Sequence, residues 1–128
     1  MEMEKVSLFK LASQQANWME VRQHMVARNV ANMNTNGYTP VDVVPFKQVL
    51  SQRAFGLSTT DQKHMGGGVT EGSSPVAVEV KTDEQGRAKK ATLQDELITA
   101  GEVRRGYELN TAITKSFHRM ILMTTRGA

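Results

Sequence analysis

Residues 3–33 contain the longest regular pattern of apolar side chains in the sequence. The pattern has alternating spacings of three and four, which is the period of one face of an α-helix, and no proline interrupts it. A helix of this length spans on the order of 45 Å, more than a small globular core requires. The pattern therefore predicts a helix that packs in a coiled coil or bundle. The row consists of Leu8, Ala12, Ala16, Met19, Gln23, Val26, Val30 and Met33, and only Gln23 is polar.

A second helical pattern begins after Thr92. Thr92 and Asp95 have the spacing of a capping box, which marks the start of a helix. Neither helix would be stable through propensity alone, so we expect the two to pack as a hairpin and to leave apolar surface for other subunits. The second row consists of Leu93, Leu97, Ala100, Val103, Tyr107, Ile113, Phe117, Met120 and Thr124, with Asn110 as a polar interruption. The predicted helix-packing residues are Leu8, Met19, Val26, Val30, Leu97, Tyr107, Ile113, Phe117 and Met120.

The middle of the chain, residues 41–92, lacks helical periodicity. Pro45, Pro75 and the triplet Gly66–Gly68 indicate loops and a hinge. Val43 to Phe46, with Val49 and Leu50, form a short apolar anchor, and much of 51–74 is too polar to order without a partner. Residues 76–81 alternate β-branched residues and could form a strand that ends in a turn at 83–86.

These patterns predict a mainly α fold with a discontinuous helical core. Residues 1–40 and 93–128 would form the core as a coiled-coil-like hairpin. Residues 41–92 would be a loop-rich insert that contains at most a small β-hairpin.

The charge of the chain argues against a nucleic-acid partner. The net charge is +3, but segments 1–40, 41–92 and 93–128 carry four, seven and five basic residues against three, six and four acidic ones. A nucleic-acid-binding protein would concentrate its basic residues on one face or arm. The sequence has no cysteine, so it can form neither a disulfide nor a thiolate metal site. From the residues at its start and the absence of a long apolar run, we expect neither a cleavable signal sequence nor a membrane-spanning helix.

Signals of catalysis are weak throughout the sequence. His24, His64 and His118 occur singly, without the spacing of metal ligands. The glycine triplet is not followed by the Lys-Ser/Thr of a phosphate-binding loop. We therefore predict no catalytic, cofactor or metal site and no small-molecule substrate.

The segment 28–40 is the most specific stretch of the chain. Asn34, Asn36 and Gly37 tolerate the left-handed geometry that ends a helix, and Pro40 cannot continue one. The order of residues in this segment resembles the N-terminal signature motif of the bacterial flagellar axial proteins. It differs at Asn36, where that family usually has proline. This replacement should make the turn less rigid. The residues that match the motif are Asn29, Ala31, Asn32, Asn34, Thr35, Gly37 and Tyr38.

The resemblance extends to other parts of both ends. Arg22-Gln23, and Phe46 with Leu50, are similar to the B-type proximal-rod proteins of the basal body. Glu96-Leu97 and the stretch 107–110 resemble the C-terminal helix of axial proteins in general.

The resemblance implies a structural subunit of the proximal rod, located in the periplasm and exported unfolded by the flagellar type III apparatus without signal cleavage. It implies polymerisation through the terminal helices into a tube that surrounds the export channel and transmits torque. The implied partners are copies of the chain, other proximal-rod proteins, the rod-to-ring adaptor and the inner-membrane ring. Two alternatives are another short rod protein of the same family and a soluble helical-hairpin adaptor or chaperone.

Overall fold

The computed structural model describes residues 2–54 and 77–127. Within this part, the elements follow in the order α1 (Glu2–Asn32), β1 (Val41–Val43), α2 (Phe46–Ala54), β2 (Val78–Val80) and α3 (Leu93–Arg126). The fold is mainly α, with two long terminal helices and a small sheet between them, which confirms the predicted fold class. Most of the segment 51–74, which was predicted to need a partner, lies outside the described residues, because the first described range ends at residue 54. His64 and the predicted hinge Gly66–Gly68 also lie outside it.

α1 and α3 pack side by side and run in opposite directions. Near one end of the contact, the rings of Phe9 and Phe117 meet edge to face with centroids 5.8 Å apart. Near the other end, Asn29 donates a hydrogen bond to Glu96. The seam between the two helices therefore extends over about 30 Å. It is the predicted hairpin.

The apolar centre of the seam is small. Met19, Val26 and Val103 are its buried members, with exposed fractions of 2%, 9% and 3%. A Cβ atom at Gly106 would lie only 2.7 Å from the sulfur of Met19. Glycine at position 106 therefore makes room for this methionine side chain where α3 passes α1.

The sheet joins two distant parts of the chain. β1 and β2 pair antiparallel, with Val41 opposite Val80 and Val43 opposite Val78. The sequence predicted β2, whereas β1 and the short helix α2 were not predicted. Val43, Val44 and Val49 are buried beside α1, so the predicted apolar anchor does form a core.

Two tight turns use glycine in the left-handed region. Gly37 has φ of 79° in the turn after α1, and Gly86 has φ of 74° after β2. In the second turn, the carboxylate of Asp83 accepts hydrogen bonds from the amides of Gln85 and Arg87 at 3.0 and 2.8 Å. The predicted turn at 83–86 is therefore present.

Candidate functional site

Asn29 is the central residue of a polar cluster that we call the clasp, formed by Asn29, Tyr38, Val41, Lys81 and Glu96. The side chain of Asn29 is fully buried. Its Nδ2 donates to the Val41 carbonyl at 2.7 Å and to Glu96 Oε1 at 3.1 Å. Its Oδ1 accepts from the Tyr38 hydroxyl at 2.8 Å and from the Val41 amide at 3.0 Å. All four hydrogen bonds that an asparagine side chain can make are therefore formed.

The two bonds between Asn29 and Val41 occupy the free edge of β1. Pro40, Asp42 and Val44 turn their backbone groups toward β2, because Pro40 accepts from the Lys81 amide and Val44 donates to the Ala77 carbonyl. In a strand, successive residues direct these groups to opposite sides. The amide of Asn29 takes the position of a neighbouring strand and pairs with both backbone groups of Val41. An aspartate at this position would lack the N–H group that donates to the Val41 carbonyl.

Glu96 connects α3 to both α1 and the sheet. Its side chain is 1% exposed, and Oε1 also accepts from Lys81 Nζ at 2.7 Å. Oε2 is buried and has no hydrogen-bond partner in the described part of the chain. A buried carboxylate is stable only when its charge is compensated, so Lys81 holds the end of β2 against the start of α3.

Arg22 forms a second polar contact, one and a half to two turns along α1 from Asn29. It bonds Asp42 at 3.2 Å and Glu102 at 3.0 Å, and its guanidinium lies 5.5 Å from the centre of the Trp18 ring. Trp18 in turn donates to the Val44 carbonyl at 2.8 Å. These contacts join α1, β1 and α3 a second time.

A third polar contact lies further along the hairpin. Asn110 Nδ2 donates to the Ala12 carbonyl at 3.0 Å and to Gln15 Oε1 at 3.1 Å. The Tyr107 hydroxyl donates to the Ala16 carbonyl at 3.4 Å. Asn110 therefore belongs to the seam, although the sequence indicated only an interruption of the apolar row. Polar pairs of this kind specify the register of paired helices.

The start of α3 is capped as the sequence predicted. The Thr92 hydroxyl accepts from the Asp95 amide at 3.3 Å and donates to the Asp95 carboxylate at 2.7 Å. Hydrogen bonds from Lys89 and Thr92 hold the pKa of Asp95 below its ordinary value of 3.8. The negative charge of Asp95 is also favourable at a helix N-terminus.

The motif residues have different environments. Asn29 is buried and Tyr38 half-buried. Asn32 donates to the Arg28 carbonyl at 2.9 Å, and its own carbonyl accepts from the Thr35 amide at 2.9 Å. Ala31, Asn34 and Gly37 are exposed. The side chain of Asn34 makes no hydrogen bond with the described residues. The role of these three residues in assembly stays a prediction.

The predicted helix-packing residues fall into two groups. Met19 and Val26 are buried in the seam, and Leu8 and Phe117 are half-buried. The others are exposed to 37–62% in the isolated chain, namely Val30, Leu97, Tyr107, Ile113 and Met120. In the seam itself, Asn29 and Glu96 occupy the positions beside Val30 and Leu97. The packing role of the exposed group stays a prediction, and it requires other subunits.

Sequence reasoning missed several residues of the clasp and its surroundings. Lys81 gave no signal, and Glu96 gave one through the resemblance alone. Both are distant in sequence from Asn29, and no local pattern indicates their contact with it. Asp42, which pairs with Arg22, belongs to no motif that the sequence analysis identified. Trp18 was visible only as a member of a second apolar row, yet its indole N–H fixes the chain after β1. The pair Arg22-Gln23 gave a signal through the resemblance alone.

The described residues contain no arrangement typical of metal or membrane chemistry. Residues 2–54 and 77–127 bring no three His, Cys, Asp or Glu side chains together as ligands for an ion. No helix in these ranges has the length and apolar character to cross a membrane. A hairpin that joins its elements through buried polar contacts and exposes apolar side chains along α3 has the features of a structural assembly subunit.

Comparison with known proteins identifies the family. No protein-family profile matches the chain. The flagellar basal body rod protein FlgB of Agrobacterium fabrum is 38% identical over 131 residues, which cover 97% of this chain and 96% of that protein. The chain therefore belongs to the FlgB family of flagellar basal body rod proteins. It is a structural protein of the proximal rod and not an enzyme, which confirms the function indicated by the motif at 28–40.

Proposed function

We propose that the chain polymerises through α1 and α3 into a tubular shaft that surrounds the export channel and transmits torque. As a rod protein it assembles with other rod components. The proposed neighbours are copies of the chain, other proximal-rod proteins, the rod-to-ring adaptor and the inner-membrane ring, and the proposed export route is the flagellar type III apparatus. A heterologous contact, in which two different surfaces meet, generates a helical tube when it is repeated. A self-complementary contact would instead close a dimer.

One observation carries this proposal: large apolar side chains remain exposed along the whole length of α3. Leu97, Ile113 and Met120 are 62%, 49% and 55% exposed. Leu97 lies on a different side of α3 from Ile113 and Met120, so more than one face of the helix carries exposed apolar side chains. Isolated soluble proteins rarely keep large apolar patches in water without an interaction that covers them. Packing of these side chains against neighbouring hairpins would remove them from water.

The experiment replaces one exposed and one buried residue with aspartate. Ile113→Asp should leave the helical content of the purified chain unchanged and abolish motility, because the charge would enter a contact between subunits. Val26→Asp should abolish motility by disrupting the hairpin itself. Ser13→Asp, on the exposed face of α1, is the matched control, and cells that carry it should have normal motility.

Motility and purified basal bodies from a strain that lacks the native gene are the readouts. Normal rods with Ile113→Asp would contradict the proposed contact. Circular dichroism and sedimentation of the purified chain add a second test, since a subunit completed by assembly should be monomeric and incompletely helical. A discrete, fully helical dimer or tetramer would instead indicate a soluble hairpin adaptor.

A further inference from the structure

α3 is divided by charge into two halves. All of its carboxylates precede residue 109, and the segment 109–126 contains basic residues and no acidic one. A helix dipole favours anions in the first turn and cations in the last. It accounts for Asp95 and Arg126, but Lys115 and Arg119 lie two or three turns inside the helix. Their placement needs a different reason.

The acidic half is neutralised within the chain. Each carboxylate of α3 has a basic partner, and the four ion pairs are Asp95–Lys89, Glu96–Lys81, Glu102–Arg22 and Glu108–Arg104. The basic half has no such partners among the side chains that the structure describes. Lys115, Arg119 and Arg126 form no ion pair with any of these side chains.

An apolar row lies beside these cations. At 3.6 residues per turn, this outer row falls between the face of α3 that packs on α1 and the basic row Lys115, Arg119 and Arg126. Its members are highly exposed and follow the spacing of a heptad repeat. The outer row consists of Leu109 (62% exposed), Ile113 (49%), Met120 (55%) and Met123 (61%).

We propose that the outer row and the basic row together form the docking surface for an amphipathic helix with acidic residues beside its apolar stripe, supplied by a different polypeptide. The inference rests on the proposed function, because it specifies one neighbour of the rod subunit. The apolar row would supply the packing, and the unneutralised cations would select a partner of opposite charge, as charges beside a coiled-coil seam do.

A second copy of the chain fits this surface less well. Between residues 7 and 32, α1 has one carboxylate, Glu20, against Lys10, Arg22 and Arg28. The carboxylates of α3 are already paired. Residues 7–32 of α1 and the whole of α3 in a copy therefore present no row of unpaired acidic groups.

An anionic membrane also fits less well. Helices that lie in a membrane interface have a wide apolar face with bulky aromatic residues. The outer row is a narrow stripe of four residues and contains no aromatic side chain.

The test is a titration of the purified full-length chain with two labelled three-heptad peptides, followed by fluorescence anisotropy. Both peptides carry leucine at the a and d positions, and one has glutamate and the other lysine at e and g, so that repulsion keeps each from pairing with itself. The glutamate peptide should bind, and its affinity should fall with added salt. The lysine peptide should not bind.

Charge reversal gives the decisive comparison. Lys115→Glu with Arg119→Glu should lower the affinity for the glutamate peptide by about tenfold at low salt and create affinity for the lysine peptide. The control, Arg87→Glu with Lys90→Glu, makes the same change in net charge on the exposed segment before α3. It should leave both affinities unchanged.

Replacement of the apolar row tests the second half of the surface. Ile113→Ser with Met120→Ser should weaken the binding of the glutamate peptide, whereas Leu97→Ser, on another side of α3, should not. Equal binding of both peptides, absence of binding, or preferential binding to phosphatidylserine vesicles would each overturn the proposal. If the peptides fail while Ile113→Asp still blocks rod assembly, this inference is wrong and the proposed function stands.

Discussion

The two ends of the hairpin differ in how their surfaces are satisfied. At the clasp end, Asn29 and Glu96 are almost completely buried, and the sheet covers one side of α1. At the distal end, where residues 7–16 lie beside 107–117, one aromatic pair and the hydrogen bonds of Tyr107 and Asn110 connect the described side chains of the two helices. Large apolar side chains there remain in water. Large apolar side chains are exposed at the clasp end too, among them Leu97 and Ile98. The difference indicates that polar contacts within the chain fix the clasp end, whereas the distal end has fewer such contacts and depends more on neighbouring subunits.

The largest expected effect is that of Asn29→Asp. The substitution removes both donations from Nδ2 and places a second carboxylate against Glu96. Leaving such groups buried and unpaired costs about 3–5 kcal/mol. Urea unfolding followed by the fluorescence of Trp18, the single tryptophan of the chain, measures the clasp end directly. Asn34→Asp is the matched exposed control and should change stability little; equal effects of the two would refute the role of the clasp.

The next largest effect concerns the ion pair between Lys81 and Glu96. Lys81→Met leaves a buried carboxylate without its cation and should cost about 3 kcal/mol in the same assay. Lys89→Met removes the partner of the more exposed Asp95 and should destabilise the chain much less, because water screens an exposed ion pair. Adding Glu96→Leu to Lys81→Met should restore part of the loss. Failure of the double variant to recover any stability would show that Lys81 acts through packing and not through charge.

A smaller effect on stability is expected from a substitution in the turn that follows α1. Gly37 has a positive φ and open space where a Cβ would lie, so Gly37→Ala should cost about 1 kcal/mol of backbone strain alone and should impair assembly. Gly101→Ala, in a helix and also in open space, should instead stabilise by about 1 kcal/mol. Changes of the same sign in both variants would contradict this account.

The smallest effect is a pH dependence at the start of α3. Because the folded chain lowers the pKa of Asp95 below 3.8, Asp95 contributes stability above the unfolded pKa and loses it as pH falls through the lowered folded value. Helicity measured by circular dichroism should therefore decrease more below about pH 4 in the native chain than in Asp95→Asn. Identical acid profiles would show that the cap does not depend on this charge.

The sequence predicted the two long helices and their approximate limits, because apolar periodicity and helix caps are local signals, but it did not predict the short helix α2. It did not predict that Asn29 and Glu96 would occupy the seam, since a contact between residues 67 apart leaves no local mark. It also assigned Leu97 and Ile113 to helix packing without distinguishing contacts within the chain from contacts between chains. Periodicity reports that a face must be buried, and it does not identify the molecule that buries it.

Hydrogen exchange of the purified monomer tests the difference between the two ends most directly. Local stability follows buried contacts, and amides in weakly packed segments exchange quickly. We expect amides in residues 96–106 of α3 to be protected, and those in 112–126 to exchange rapidly until the chain is incorporated into basal bodies. Uniform protection along α3 in the monomer would contradict this expectation, because the distal end would then be complete without neighbours.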